Sequence, residues 1–152
     1  MIIALDFDGT VVDDSRPYAD TTSPLRLLPG AKEGLAALKK ARHTLILWSA
    51  RSNRALREDP ALDPLVRAGV KKLDRAAWEE ARPIHQARYQ QMISFVKRDL
   101  PGVFDAIDDG MVGKVSADLF IDDKALRFGR SLSGSSWPTI AVQYGVPARR
   151  VA

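Results

Sequence analysis

Ile2-Ile3-Ala4-Leu5 is an apolar run that stops at two carboxylates, Asp6 and Asp8, with Gly9 and Thr10 directly behind them. An apolar run without alternation suits a strand buried on both faces, at the centre of a parallel sheet. Ligands of such sheets gather at the carboxyl ends of the strands, so acid placed immediately after this run marks a candidate site. In extended geometry Asp6 and Asp8 project to one side and Phe7 to the other. Two carboxylates that close repel each other and attract a cation, and oxygen-only ligation favours Mg²⁺. Gly9 permits a tight turn and close approach of the backbone to a ligand. A strand followed by a plain acidic turn would carry the same letters, so the partners must come from the rest of the chain.

The remaining pattern is strands alternating with helices. The segment from Asp13 to Pro24 is polar and rich in turn formers, and reads as a loop or small hairpin. Pro29-Gly30 precedes a helix over 31–41, with Leu35 and Leu38 on its apolar side and Lys32, Glu33, Lys39 and Lys40 on its wet side. Thr44 to Trp48 is the second strand, and a helix beginning near Ser52 or Asn53 is interrupted at Asp59-Pro60. Asp63-Pro64 opens a short helix stopped by Gly69. Asp74 caps another over 75–82, ended by Pro83, and the spacing of Tyr89, Met92, Ile93, Val96 and Leu100 predicts the longest helix over 85–100. Val103 to Ile107 is a weak strand or edge segment, and Ala117 to Ile121 a strand running into Asp122-Asp123. Lys124 to Phe128 is a short helical segment, 129–136 a loop, and Pro138 to Val142 a final strand. The expected architecture is an α/β fold, an open and mostly parallel sheet flanked by helices on both faces. The chain has 152 residues, which suits one domain, with no internal repeat or linker.

Composition narrows the chemistry. With no cysteine in the sequence, disulfides, thiolate nucleophiles and sulfur-ligated metals are excluded, which fits a cytoplasmic protein. No segment approaches a membrane span, and the first apolar run lacks the basic start of a signal peptide. The formal net charge of +4 would help draw an anionic substrate and is compatible with nucleic acid, but the excess is spread along the chain.

Several strand ends carry polar residues suited to one reaction: Asp6 and Asp8, then Ser49, then Lys114 ahead of the strand that ends at Asp122 and Asp123. Asp-Phe-Asp-Gly-Thr (6–10), Leu-Ile-Leu-Trp-Ser-Ala-Arg (45–51), Lys114 and Leu-Phe-Ile-Asp-Asp-Lys-Ala-Leu (119–126) together resemble the motifs of the haloacid dehalogenase-like (HAD) phosphatase superfamily, in that family's order. The resemblance implies a Rossmann-like core and a Mg²⁺-dependent phosphomonoesterase. Asp6 would be the nucleophile that forms an aspartyl-phosphate. Asp8 would protonate the leaving oxygen and then activate water, and would lend its carbonyl as a metal ligand beside the Asp6 carboxylate. Ser49 would hydrogen-bond the phosphate, Lys114 would supply fixed positive charge, and Gly9-Thr10 would begin the loop over the site, with Thr10 against the substrate. Asp123 would be the direct metal ligand of the second acidic pair, with Asp122 close by, directly or through water.

Each of these residues has a plainer role in isolation. Serine at a strand–helix junction is usually a cap, lysine a solvated surface group, and an acidic pair a helix start. Their joint occurrence in order makes coincidence the weaker account. Lys97 competes with Lys114 but shares its helix face with solvated residues. Asp108-Asp109, a second Ile-Asp-Asp, reads as loop. Arg51 is equally suited to a bidentate phosphate contact and to a salt bridge.

No stretch has room for a full cap domain, and the extra length is a helical elaboration within 55–100. A capless or minimally capped site either admits a large substrate or is closed by a neighbouring subunit in a homo-oligomer. A small phosphorylated metabolite such as a sugar phosphate or nucleotide is the first expectation. A nucleic-acid end or phosphoprotein is the second, and a catalytically silent HAD-fold binding module is the alternative of a different class.

Overall fold

The computed structural model describes residues 1–111, 113–123 and 137–145. β1 (Ile2–Leu5) buries Ile3, Ala4 and Leu5 completely, while Ile2 at its start stays exposed. β2 (Thr44–Leu47), β3 (Ala106–Ile107) and β4 (Leu119–Ile121) complete a four-stranded sheet in the order β3-β2-β1-β4, with all three pairings parallel. Helices cover both faces, giving an open Rossmann-like α/β fold. The chain moves from β1 to β2 to β3 in one direction, then returns across β1 to place β4 on its far side. The break in direction therefore falls between β1 and β4, where α/β sheets form ligand crevices.

Register sets what meets at that edge. Leu5 stands opposite both Leu47 and Ile121, and Leu47 opposite Ile107. Backbone bonds carry the match one residue further: Asp6 N–H donates to the Ile121 carbonyl (2.9 Å), Trp48 N–H to Leu5 (2.8 Å) and Asp108 N–H to Leu47 (2.8 Å). Asp6, Trp48, Asp108 and Asp122 thus emerge at one level. β3 is shorter than the weak strand expected over 103–107. Asp105 accepts from the Leu45 N–H (2.7 Å) and pairs with Lys39 (2.8 Å), so its carboxylate takes a ladder donor.

α1 (Ala31–Lys40) follows Gly30, whose φ of 77° turns the chain into the helix. Ala31, Leu35 and Leu38 form its buried stripe, and Lys39 and Lys40 complement the dipole at its end. α2 (Arg54–Arg57) and α3 (Pro64–Arg67) are short, separated by a 3₁₀ turn over Pro60–Leu62. Asn53, Asp59 and Asp63 each cap the next piece by accepting from a backbone N–H.

Two expectations change. The helices expected on either side of Pro83 are one helix, α4 (Arg75–Asp99), capped by Asp74. Pro83 and Glu79 are both exposed, so the carbonyl that loses its donor at Pro83 has water available. Meanwhile the Trp78 indole donates to the Ala55 and Leu56 carbonyls, and Met92, Phe95 and Val96 enter the core, anchoring both halves. The final strand expected over 138–142 is instead the helix α5 (Trp137–Tyr144). Its β-branched residues read as a strand, but Pro138 lies in a first turn, where proline is tolerated, and the buried residues Trp137 and Ile140 are spaced for a helix. Trp137 packs on Gly34 of α1 so closely that a Cβ there would lie 2.5 Å from its ring. The segments read as a helix over 124–128 and a loop over 129–136 lie outside the described residues.

Candidate functional site

The site is built at the carboxyl edge between β1 and β4. Asp6, Asp122 and Asp123 each bring a carboxylate oxygen to within 4.8 Å of the others, all three half-buried. Burial pushes the Asp6 carboxyl up to about 7; a hydrogen bond from the Phe7 backbone opposes this, and the charges of Asp122, Asp8 and Asp123 add to it. Gly9 turns above the cluster with φ 77°, and a Cβ there would sit 3.2 Å from carboxylate oxygens of both Asp123 and Asp14. The donors are hard oxygens, crowded and mutually repelling. They fit a divalent cation of the magnesium or calcium kind.

Asp8 points elsewhere. Phe7 is buried between the two acids and packs edge-on against Phe95, with ring centroids 5.9 Å apart. The Asp8 carboxylate accepts a fork from Arg51, Nε at 2.7 Å and Nη2 at 2.6 Å, and Arg88 of α4 stands 3.4 Å away. Arg51 is buried, lies over the Phe7 ring, and spends Nη1 on the Arg88 carbonyl (2.9 Å) and Gln91 Oε1 (3.2 Å). Its guanidinium is thus engaged in an ion pair that is buried on the arginine side, where the sequence had offered a phosphate contact or a surface salt bridge. Gln91 passes the connection on by donating to the Thr21 and Ser23 carbonyls, and Arg88 donates to that of Tyr18. One face of α4 therefore ties Asp8 to the 18–23 loop.

Ser49 and Lys114 share a cavity of about 770 Å³ with Asp6 and Asp122. Ser49 combines two roles, since its Oγ caps the following 3₁₀ turn by accepting from Arg51 N–H (3.2 Å) while it lines the cavity. Lys114 lays its ammonium 4.4 Å from the centre of the Phe120 ring. Lys97 is exposed on α4, away from this wall. Thr10 is not brought to the cavity: it is fully buried, its hydroxyl has no hydrogen-bond partner among the described residues, and its carbonyl accepts from the Trp137 indole (2.8 Å).

Sequence reasoning missed Arg88 and Gln91, whose link to Asp8 is a tertiary contact with no local signal beyond their shared helix face. It also missed Asp14 as a neighbour of Asp123, although the Asp13-Asp14 pair was visible. Asp108, read as loop, lines the cavity with Gly110, and burial raises its carboxyl above the ordinary range. Gly110 adopts φ 75° and lies so close to the Ser52 carbonyl that a Cβ would collide with it. Ser52 in turn donates to the Asp108 carbonyl (2.6 Å), which binds the loops after β2 and β3 together.

Fold and site together define a Rossmann-like α/β protein with an aspartate cluster able to coordinate a metal ion, of a kind consistent with a hydrolase. No family model and no curated protein matches the chain. Among solved structures it is similar to a conserved protein from Bacteroides thetaiotaomicron, at 26% identity over 95% of this chain and 86% of that one, with a TM-score of 0.43. No helix among the described residues is long and apolar enough to cross a membrane.

Proposed function

We propose that this chain is a Mg²⁺-dependent phosphomonoesterase of the HAD type, a single capless or minimally capped domain working in the cytoplasm on a small phosphorylated substrate. The observation that carries this reading is the convergence of Asp6, Asp122 and Asp123 at the edge between β1 and β4, beside a cavity that also holds Ser49 and Lys114. Asp6, Asp122, Asp123 and the Asp8 carbonyl would hold the cation, which when bound would neutralise the nucleophile and the phosphoryl oxygens. An Asp6 oxygen attacks phosphorus as the ester P–O bond breaks, and the Asp8 carboxyl gives its proton to the departing oxygen. Asp8 then takes a proton from water as the water oxygen attacks phosphorus, which frees inorganic phosphate and Asp6. Ser49 Oγ donates to a phosphoryl oxygen, and Lys114 offsets its developing charge.

For this, Asp8 must leave the Arg51 fork and turn to the cavity. Its present engagement is the one observation that favours the second reading, a HAD-fold binding module without turnover. Hydrolysis of a generic aryl phosphate with and without Mg²⁺ separates the two. The enzyme reading expects metal-dependent phosphate release that is abolished in Asp6→Asn. Absence of turnover by the wild type across a broad panel of phosphate esters would sink it.

A further inference from the structure

The cavity is much larger than its reaction end requires. Asp6, Ser49, Lys114 and Asp122 supply only part of the lining of the roughly 770 Å³, and residues 53–67 and the loop after β3 supply much of the rest. Sites of this size bury ligands with a substantial organic body. A phosphoryl group alone would leave most of the space to water.

The rest of the lining has a definite chemistry. Leu62, Pro64 and Met111 give it apolar surface, and Arg54 and Arg67 add two cations. The two arginines are not equivalent. Arg54 is committed to Glu58, its Nε at 2.6 Å from Oε2. Arg67, the exposed last residue of α3, lines the cavity and makes no ion pair or hydrogen bond to protein through its guanidinium among the described residues. A planar fork of unspent donors beside an apolar wall fits a carboxylate or a second phosphate.

We propose that the 53–67 segment is the leaving-group wall of the site and that Arg67 determines specificity, selecting phosphomonoesters whose partly apolar body carries a second anionic group remote from the reacting phosphate. The inference rests on the phosphomonoesterase reading for the identity of the reacting group. It adds which class of ester is taken, an extended dianionic one in preference to a compact neutral-bodied one. Asn53 in this segment and Asp108 at the sheet edge also line the cavity and offer hydrogen bonds to the hydroxyl or amide groups of such a body.

The test compares phenyl phosphate with analogues that carry a carboxylate on the ring, directly or on short alkyl arms of increasing length. The wild type with Mg²⁺ is expected to prefer one arm length in kcat/KM by about tenfold, through KM more than kcat, the scale of one charge-assisted contact. Arg67→Ala should lower the ratio of anionic to neutral substrate by about that factor. Arg67→Lys should keep part of it, and Arg67→Glu should turn the preference towards analogues bearing an ammonium arm. The corresponding phosphonates, which cannot turn over, are titrated calorimetrically against the same proteins. If no ester is hydrolysed, the enzyme reading fails, while the phosphonate affinities still decide the role of Arg67. Equal binding of anionic and neutral analogues by the wild type at every arm length overturns the inference, as does an anionic-to-neutral ratio that Arg67→Ala and Arg67→Glu both leave unchanged.

Discussion

Asp6 takes up a proton more readily in the fold than in the unfolded chain, because burial raises its carboxyl from 3.8 to about 7. The linkage follows in sign: between those values the folded state binds more protons, so Asp6 makes the metal-free protein less stable as pH rises through that window. Above it, the charged carboxylate costs the fold up to about 4 kcal/mol. Asp6→Asn removes the charge. In a chelator, its melting temperature should equal the wild type's near pH 4 and exceed it increasingly towards pH 8, and Mg²⁺ should close the gap by stabilising only the wild type. A constant difference across the range would contradict the buried-charge account. At Arg51 the opposite substitution logic applies. Arg51→Ala strips Asp8 of its fork and empties a buried position, so we expect a loss of ~3 kcal/mol in urea unfolding. Arg51→Lys should recover less than half, since one ammonium cannot match both carboxylate oxygens. The strand-end positions of Asp6, Asp122 and Asp123 were legible in the sequence because strand ends are local features, whereas Asp8, expected on the same side as Asp6, turns away to Arg51. The partners of Asp8 were not legible, because Arg88 and Gln91 reach it only once α4 has packed.

The same division holds for elements. β1, α1, β2 and β4 could be read from short-range patterns that tertiary packing then reinforced. Where packing opposed the local pattern, the pattern misled: Thr139, Ile140 and Val142 have strand character, yet Trp137 against Gly34 fixes a helix. That contact makes a sharp prediction. Alanine is the better helix former by about 1 kcal/mol, so Gly34→Ala on a free helix face would stabilise. With the indole 2.5 Å from the new Cβ it should instead destabilise by ~1–3 kcal/mol, read as a lower melting temperature. Pro83 gives the complementary case. It signalled a helix end, but α4 runs through it because Trp78 and Phe95 hold the two halves in place. Pro83→Ala restores the missing bond to Glu79 at an exposed position, so stability should rise, by up to ~3 kcal/mol less the entropy regained by the unfolded chain. A neutral result would mean that the turn at Pro83 is already strain-free.

At the scale of the whole molecule, the aspartate cluster joins β1 to β4. Asp6 leaves β1 near the start of the chain, and Asp122 and Asp123 leave β4 after the other strands among the described residues have been laid down. Only the crossover that sets β4 beside β1 brings them together, which is why the cluster depends on topology and could not be measured from sequence spacing. In the metal-free protein this edge carries three mutually repelling carboxylates, so it should open more easily than the β1–β2 side. A bound divalent cation would reverse the repulsion and tie the two strands together, stabilising the fold by mass action. Hydrogen exchange should therefore show Mg²⁺ slowing the amides of Asp6 and Asp118, which bond across to the Ile121 and Ile2 carbonyls, far more than those in the first half of α4. Asp123→Asn should remove most of that protection and leave the metal-free exchange pattern at least as slow as the wild type's. Uniform protection along the whole chain would place the cation's effect elsewhere than at the junction of β1 and β4.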